Sequence, residues 1–104
     1  MIYLSAAIEV VAGKMGEYQE IIAKEAVPLY PKMGMKLIAS WHGYTGNMNK
    51  SYTLFAFDDL ASLQKSREAQ QQNKDYQKLQ VRLNAFRVSI NQTILEPNAW
   101  SPMK

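Results

Sequence analysis

Few side chains in this chain are equipped for chemistry, and most of them gather around one stretch. His42 is the only histidine, and so the only side chain whose ordinary pKa lies near neutrality. It stands between Ser40 and Tyr44 at the alternating spacing of one strand face. Alternate strand positions lie roughly 7 Å apart, beyond hydrogen-bond reach, so Ser40 and His42 do not form a nucleophile and base. A general base also needs an orienting partner, and no carboxylate shares that strand face. No catalytic residue is therefore assigned. His42 joins Tyr3, Tyr18, Trp41, Tyr44 and Tyr52 as a candidate lining of an apolar pocket between a sheet and helices. The bland alternative is that these aromatics, with Phe55 and Phe57, make an ordinary core and interface.

Other chemistries are excluded or unsupported. The chain has no cysteine, which removes disulfides, thiolate nucleophiles and Cys-ligated metals, and a reducing compartment fits. One histidine cannot make an all-histidine metal site. Asp58-Asp59 reads as a helix cap, since no other ligand clusters beside the pair. Gly13, Gly16, Gly34, Gly43 and Gly46 have the wrong spacing for a phosphate loop and read as turns and strand ends. The expectation is no metal and no cofactor. Twelve Lys and Arg against nine acids give a formal charge of +3, scattered without a basic stripe, so no nucleic-acid partner is expected. No run is long and apolar enough to span a membrane, and the first residues resemble neither a signal nor a transit peptide. The expected location is cytoplasmic.

At 104 residues the chain reads as a single domain over 1–104. Ile2, Leu4, Ala6, Ile8 and Val10 alternate with Tyr3, Ser5, Ala7 and Glu9, which is a strand with one core face. Past Gly13 the period becomes helical, with Met15, Tyr18, Ile22, Ala26 and Leu29 on one side and Glu17, Glu20 and Lys24 on the other. Pro28 and Pro31 predict a kinked or broken last turn over 27–34. Residues 37–44 and 52–57 then read as a hairpin around Thr45, Gly46, Asn47 and Asn49. Simple alternation puts Leu37, Ala39 and Trp41 on one face and Ile38, Ser40, His42 and Tyr44 on the other. On the next strand Tyr52, Leu54 and Ala56 oppose Thr53, Phe55 and Phe57. Neither face is polar, and the one carrying Ile38, Phe55 and Phe57 is expected to need a cover. For a chain this short, a second copy of itself is the simplest cover.

Asp58-Asp59 opens a helix with Leu60, Leu63 and Arg67, and Gln70, Gln71 and Gln72 read as its exposed end. Asn73 caps another helix carrying Tyr76, Leu79, Leu83 and Phe86. The last strand is 88–95, and Trp100 in the tail is expected to pack on the body or on a partner. The order β, α, β, β, α, α, β predicts an α+β, ferredoxin-like fold: a four-stranded antiparallel sheet with helices on one face.

Several strings resemble one family. MIYLSAAIEVVAGK is similar to the first strand of NIPSNAP proteins, and KLIASWHGYTGNMNKSYTLFAFDDL to their hairpin and Asp-capped helix. NKDYQKL resembles their next helix start, and VSINQTILEPNAWSP their closing strand and aromatic-Ser-Pro ending. The resemblance implies the dimeric α+β barrel superfamily, in which two such sheets face each other as a homodimer. Where the family commonly has Glu-Leu-Arg this chain has Leu4, Ser5 and Ala6. Where it commonly has His-Leu-Trp-Arg-Tyr this chain has Thr53, Leu54, Phe55, Ala56 and Phe57. Any family activity carried by those ionisable groups is absent here or performed otherwise. The resulting expectation is a homodimer of unassigned role that binds a small apolar or aromatic ligand or a protein partner. The alternative is a cofactor-independent monooxygenase or isomerase, with His42 and Tyr44 or Tyr52 positioning a self-reactive substrate.

Overall fold

A computed structural model describes residues 1–104. It has β1 (Ile2–Val10), α1 (Met15–Ile21), β2 (Lys36–His42), β3 (Lys50–Phe57), α2 (Leu60–Gln72), α3 (Lys74–Asn84) and β4 (Arg87–Leu95). The four strands form one sheet in the order β2-β3-β1-β4, every neighbouring pair antiparallel. This is the ferredoxin-like βαββααβ arrangement expected from the sequence.

The local rules explain the elements. Asp59 caps α2, its Oδ1 accepting from the Ser62 N–H at 2.8 Å, and Asn73 caps α3, accepting from the Tyr76 N–H at 3.0 Å. Glu20 and Lys24 pair at 2.6 Å along α1. Beyond Ile21 the helix widens into a π-type turn over Ile22–Ala26 and then tightens into 3-10 turns over Val27–Met33. Pro28 and Pro31 lack the amide protons that a regular ladder requires, so the irregular ending is their doing. Gly34, at φ +70°, closes the segment in the left-handed conformation that glycine adopts without penalty. Arg82 of α3 ties this segment down by two bonds to Glu25, at 2.6 and 2.9 Å.

The core lies between α1, the irregular turns, α2 and α3 on one side and the middle of the sheet on the other. Leu4, Val10, Tyr18, Met33, Phe55, Phe57, Leu79 and Leu83 are among its buried members. The face expected to lie uncovered is therefore the covered one: Phe55 and Phe57 pack under the helices. Pairing with β1 explains the inversion, since Phe55 lies opposite Leu4 and Phe57 opposite Ile2, on the core face of that strand, while a bulge in β2 moves Leu37 onto the same face. Leu37 pairs with Phe55 but Ala39 pairs with Leu54, so Ile38 is the extra residue and alternation reverses across it. Leu37, Ser40 and His42 then stand on the helix side, and Ala39 and Trp41 on the other, with Tyr52, Leu54 and Ala56.

That second face has no helix on it. Tyr3 and Ala56, paired at one end, are buried there, while Trp41 is 58% exposed and Tyr52 41%. Both edge strands are thinly covered on either side, with Ile38, Ile90, Ile94 and Leu95 all exposed. Trp100 is 82% exposed and does not pack on the body. After Pro97 the tail contributes no strand or helix to hold it.

Candidate functional site

Between the helix side of the sheet and the helices lies a cavity of about 110 Å³. Its apolar floor includes Leu4, Ala6, Ile8 and Phe55, and Ser40, Ser51 and Thr53 also line it. Three phenols meet there: Tyr18 from α1, Tyr30 from the 3-10 turns and Tyr76 from the first turn of α3. Gln80 follows Tyr76 by one helical turn and so shares its face. Arg87, the first residue of β4, brings the one guanidinium in the lining.

Arg87 is half-buried and held entirely by neutral groups. Its Nε donates to Tyr18 Oη at 3.2 Å, and its Nη1 donates to Gln80 Oε1 at 2.5 Å and to Asn84 Oδ1 at 3.3 Å. The guanidinium carbon also stands 5.7 Å from the centroid of the Tyr18 ring, where the π face attracts a cation. The ion pairs of the structure join Lys14 to Glu17, Lys24 to Glu20 and Arg82 to Glu25; none involves Arg87. A cation partly withdrawn from water without a counter-ion carries part of the cost of a buried charge unless something compensates it.

The phenols are equally constrained. Burial pushes the Tyr30 hydroxyl well above the ordinary tyrosine range, with the neighbouring Tyr76 and Tyr18 phenols adding to the shift and Arg87 opposing it. Tyr76 is also raised, chiefly by burial. Both are therefore neutral hydrogen-bonding groups at physiological pH. The Tyr30 ring is fixed edge-on to Phe55, 5.0 Å between centroids. Around the rim, Gln19 Nε2 reaches Ser51 Oγ at 3.3 Å and Gln70 Nε2 reaches Ser66 Oγ at 3.2 Å.

Of the six residues expected from the sequence to line a pocket, Tyr18 lines this cavity and the other five stand elsewhere. His42 is exposed near the end of β2, and Tyr44 is 90% exposed in the hairpin connection. Trp41 and Tyr52 face each other across β2 and β3 on the helix-free side, and Tyr3 lies on that side too. Conversely, Tyr30, Gln80 and Arg87 are not signalled by motif or spacing. Gln70, read as an exposed helix end, is half-buried and lines the cavity. The one sequence cue was the run Tyr76, Leu79, Leu83, which marks the inward face of α3 and hence the direction of Tyr76.

Known structures share this architecture. An uncharacterised NIPSNAP domain protein from Burkholderia xenovorans superposes with a TM-score of 0.90 at 22% identity, over 98% of this chain and 99% of that one. A NIPSNAP family protein from Agrobacterium tumefaciens gives 0.91 at 20% identity, over 99% and 98%. A putative antibiotic biosynthesis monooxygenase from Nitrosomonas europaea gives 0.71 at 9% identity, over 93% and 98%. At such identities the likeness is one of fold. No curated protein matches the chain in sequence. The NIPSNAP family model, however, matches residues 6–102, nearly the whole fold from β1 to the tail, and the chain belongs to the NIPSNAP family.

Proposed function

We propose that this NIPSNAP protein is a homodimeric binding module that takes a small molecule into the cavity between its sheet and its helices. The convergence of Tyr18, Tyr30, Tyr76 and Arg87 from separate elements on one small cavity carries the reading. Such convergence of polar groups in a largely apolar recess is the usual form of a ligand site. Binding is favoured over turnover because His42, the candidate base, stands on β2 away from this lining. The name of the Nitrosomonas protein suggests oxygenase chemistry, but that link rests on fold alone.

The dimer rests on surface area. The accessible surface is 6858 Å², about 900 Å² above the roughly 5,950 Å² expected of a compact monomer of 11.9 kDa. The radius of gyration is 14.1 Å, against about 12.9 Å for a compact domain of this length. The excess is close to the ~800 Å² that one partner contributes to a standard interface. The helix-free face with Trp41, Tyr52 and Leu54 is the natural place for a second copy, and Trp100 then has an apolar neighbour to reach. No helix of the chain is long and apolar enough to cross a membrane, and with no cysteine the chain suits the reducing cytoplasm.

Thermal-shift screening of a small-molecule panel against wild type and Ala6→Leu tests the binding reading. Ala6 lines the cavity, and a leucine there fills part of the space that a ligand would take. Ligands that raise the wild-type melting temperature are expected to lose their effect on Ala6→Leu. Equal shifts in both proteins would place the ligands elsewhere and refute the reading.

A further inference from the structure

We infer that the cavity selects a small monocarboxylate, with Arg87 as its specificity-determining residue. The inference rests on the ligand-binding reading above and goes further by naming the ligand's charge and size.

The charge follows from the donor inventory. A guanidinium has five N–H donors in a planar fork. In Arg87 the Nε proton goes to Tyr18, and the two Nη1 protons go to Gln80 and Asn84. Nη2 makes no hydrogen bond to the protein, and no carboxylate of the chain pairs with the group. A half-buried cation held only by neutral acceptors, with donors left over and a cavity beside it, is matched by an anion. Tyr30 and Tyr76 strengthen the match. Phenols are protonated near neutral pH in any setting, and burial only raises these two further, so they can donate hydrogen bonds but cannot supply the missing negative charge themselves. Two or more negative charges would meet only this one guanidinium in the lining, which favours a monoanion.

The size follows from the volume. An apolar cavity of about 150 Å³ holds benzene, and this one measures about 110 Å³. The space suits a ligand of roughly four to six heavy atoms. Ser40, Ser51 and Thr53 beside Ala6 and Ile8 offer hydroxyls to a polar substituent and methyl surface to a short carbon stem. A short-chain monocarboxylate bearing a hydroxyl or oxo group uses all of these. It also departs from the apolar or aromatic ligand that the sequence alone suggested.

The test is a nuclear magnetic resonance titration of the isotope-labelled full chain at fixed ionic strength, with sodium lactate and its neutral counterpart lactamide as probes. Lactate is expected to shift the Arg87 Nε–H resonance and the amides of Tyr18, Tyr76 and Gln80, with affinity at least roughly tenfold above that of lactamide. In Arg87→Gln the two probes are expected to bind alike, while Arg87→Lys keeps the charge and a preference for lactate. Should Arg87→Gln fail to fold, the wild-type ratio alone decides. Lactamide binding wild type as tightly as lactate would overturn the anion inference and leave the binding cavity standing. Neither probe moving the cavity resonances at about 50 mM, a concentration that detects even millimolar affinity, would overturn the inference and count against the cavity reading as well.

Discussion

Leu54→Lys is the substitution that bears most directly on the doubled sheet. Leu54 stands near the middle of the helix-free face, opposite Ser5 on β1 and Ala39 on β2, and is half-buried within one chain. In a twofold interface a single substitution acts twice, once from each protomer. Burying the remaining half of a leucine side chain is worth about 1 kcal/mol per protomer, and an unpaired ammonium in its place adds a desolvation cost of similar size or larger. The total is about 3 to 4 kcal/mol per dimer, which weakens association by two to three orders of magnitude. Sedimentation equilibrium from about 1 to 100 μM covers the range in which such a loss converts dimer to monomer. Wild type is expected near twice 11.9 kDa and Leu54→Lys near that mass itself, with circular dichroism unchanged. Val81→Lys, on the solvent side of α3 where Val81 is 73% exposed, is the control and should remain dimeric. A wild-type monomer throughout, or a Leu54→Lys protein that associates like wild type, would refute the assignment of this face.

Three further outcomes follow from the local geometry. Asn73→Ala removes the α3 cap at the Tyr76 N–H and should cost about 1 kcal/mol, a fall in melting temperature of roughly 4–8 °C, recovered by Asn73→Ser. Gly43→Ala is expected to destabilise by about 1–3 kcal/mol, because an added Cβ would collide with the Asn47 carbonyl, backbone that cannot move aside cheaply; an unchanged calorimetric melting temperature would contradict this. Tyr30 and Tyr76 hold their protons to higher pH when folded than when unfolded. Their contribution to stability is thus complete below the ordinary tyrosine pKa of about 10 and declines as pH rises above it. In an ultraviolet titration these two of the six tyrosines should ionise late, together with alkaline unfolding, and six normal phenols would contradict the buried cavity.

The sequence made the architecture legible wherever one residue or a short period decides it. Strict alternation from Ile2 to Val10 places β1, the cap residues Asp59 and Asn73 place α2 and α3, and Pro28 and Pro31 place the irregular end of the first helix. Which sheet face is covered depends instead on pairing between distant strands: β3 sets Phe55 and Phe57 opposite Leu4 and Ile2 of β1, and the bulge at Ile38 moves Leu37 to that same face. Nothing in the residues LIASW announces that bulge. The cavity was hidden for a different reason. Tyr18 and Arg87 touch although 69 positions separate them, and only the closed tertiary fold brings α1, α3 and β4 together there. Arg87 at a strand start and Gln80 on a polar helix have ordinary surface readings in isolation. The prominent aromatics of the hairpin, Trp41 and Tyr44, are large, and size alone does not say which way a side chain faces.

Native mass spectrometry of gently purified protein tests the proposed function most directly, because one spectrum reports both assembly and retained small molecules. A species at twice 11.9 kDa is expected, carrying a small added mass that the cavity-filled Ala6→Leu protein lacks. A bare species at 11.9 kDa, or an added mass retained equally by Ala6→Leu, would contradict it.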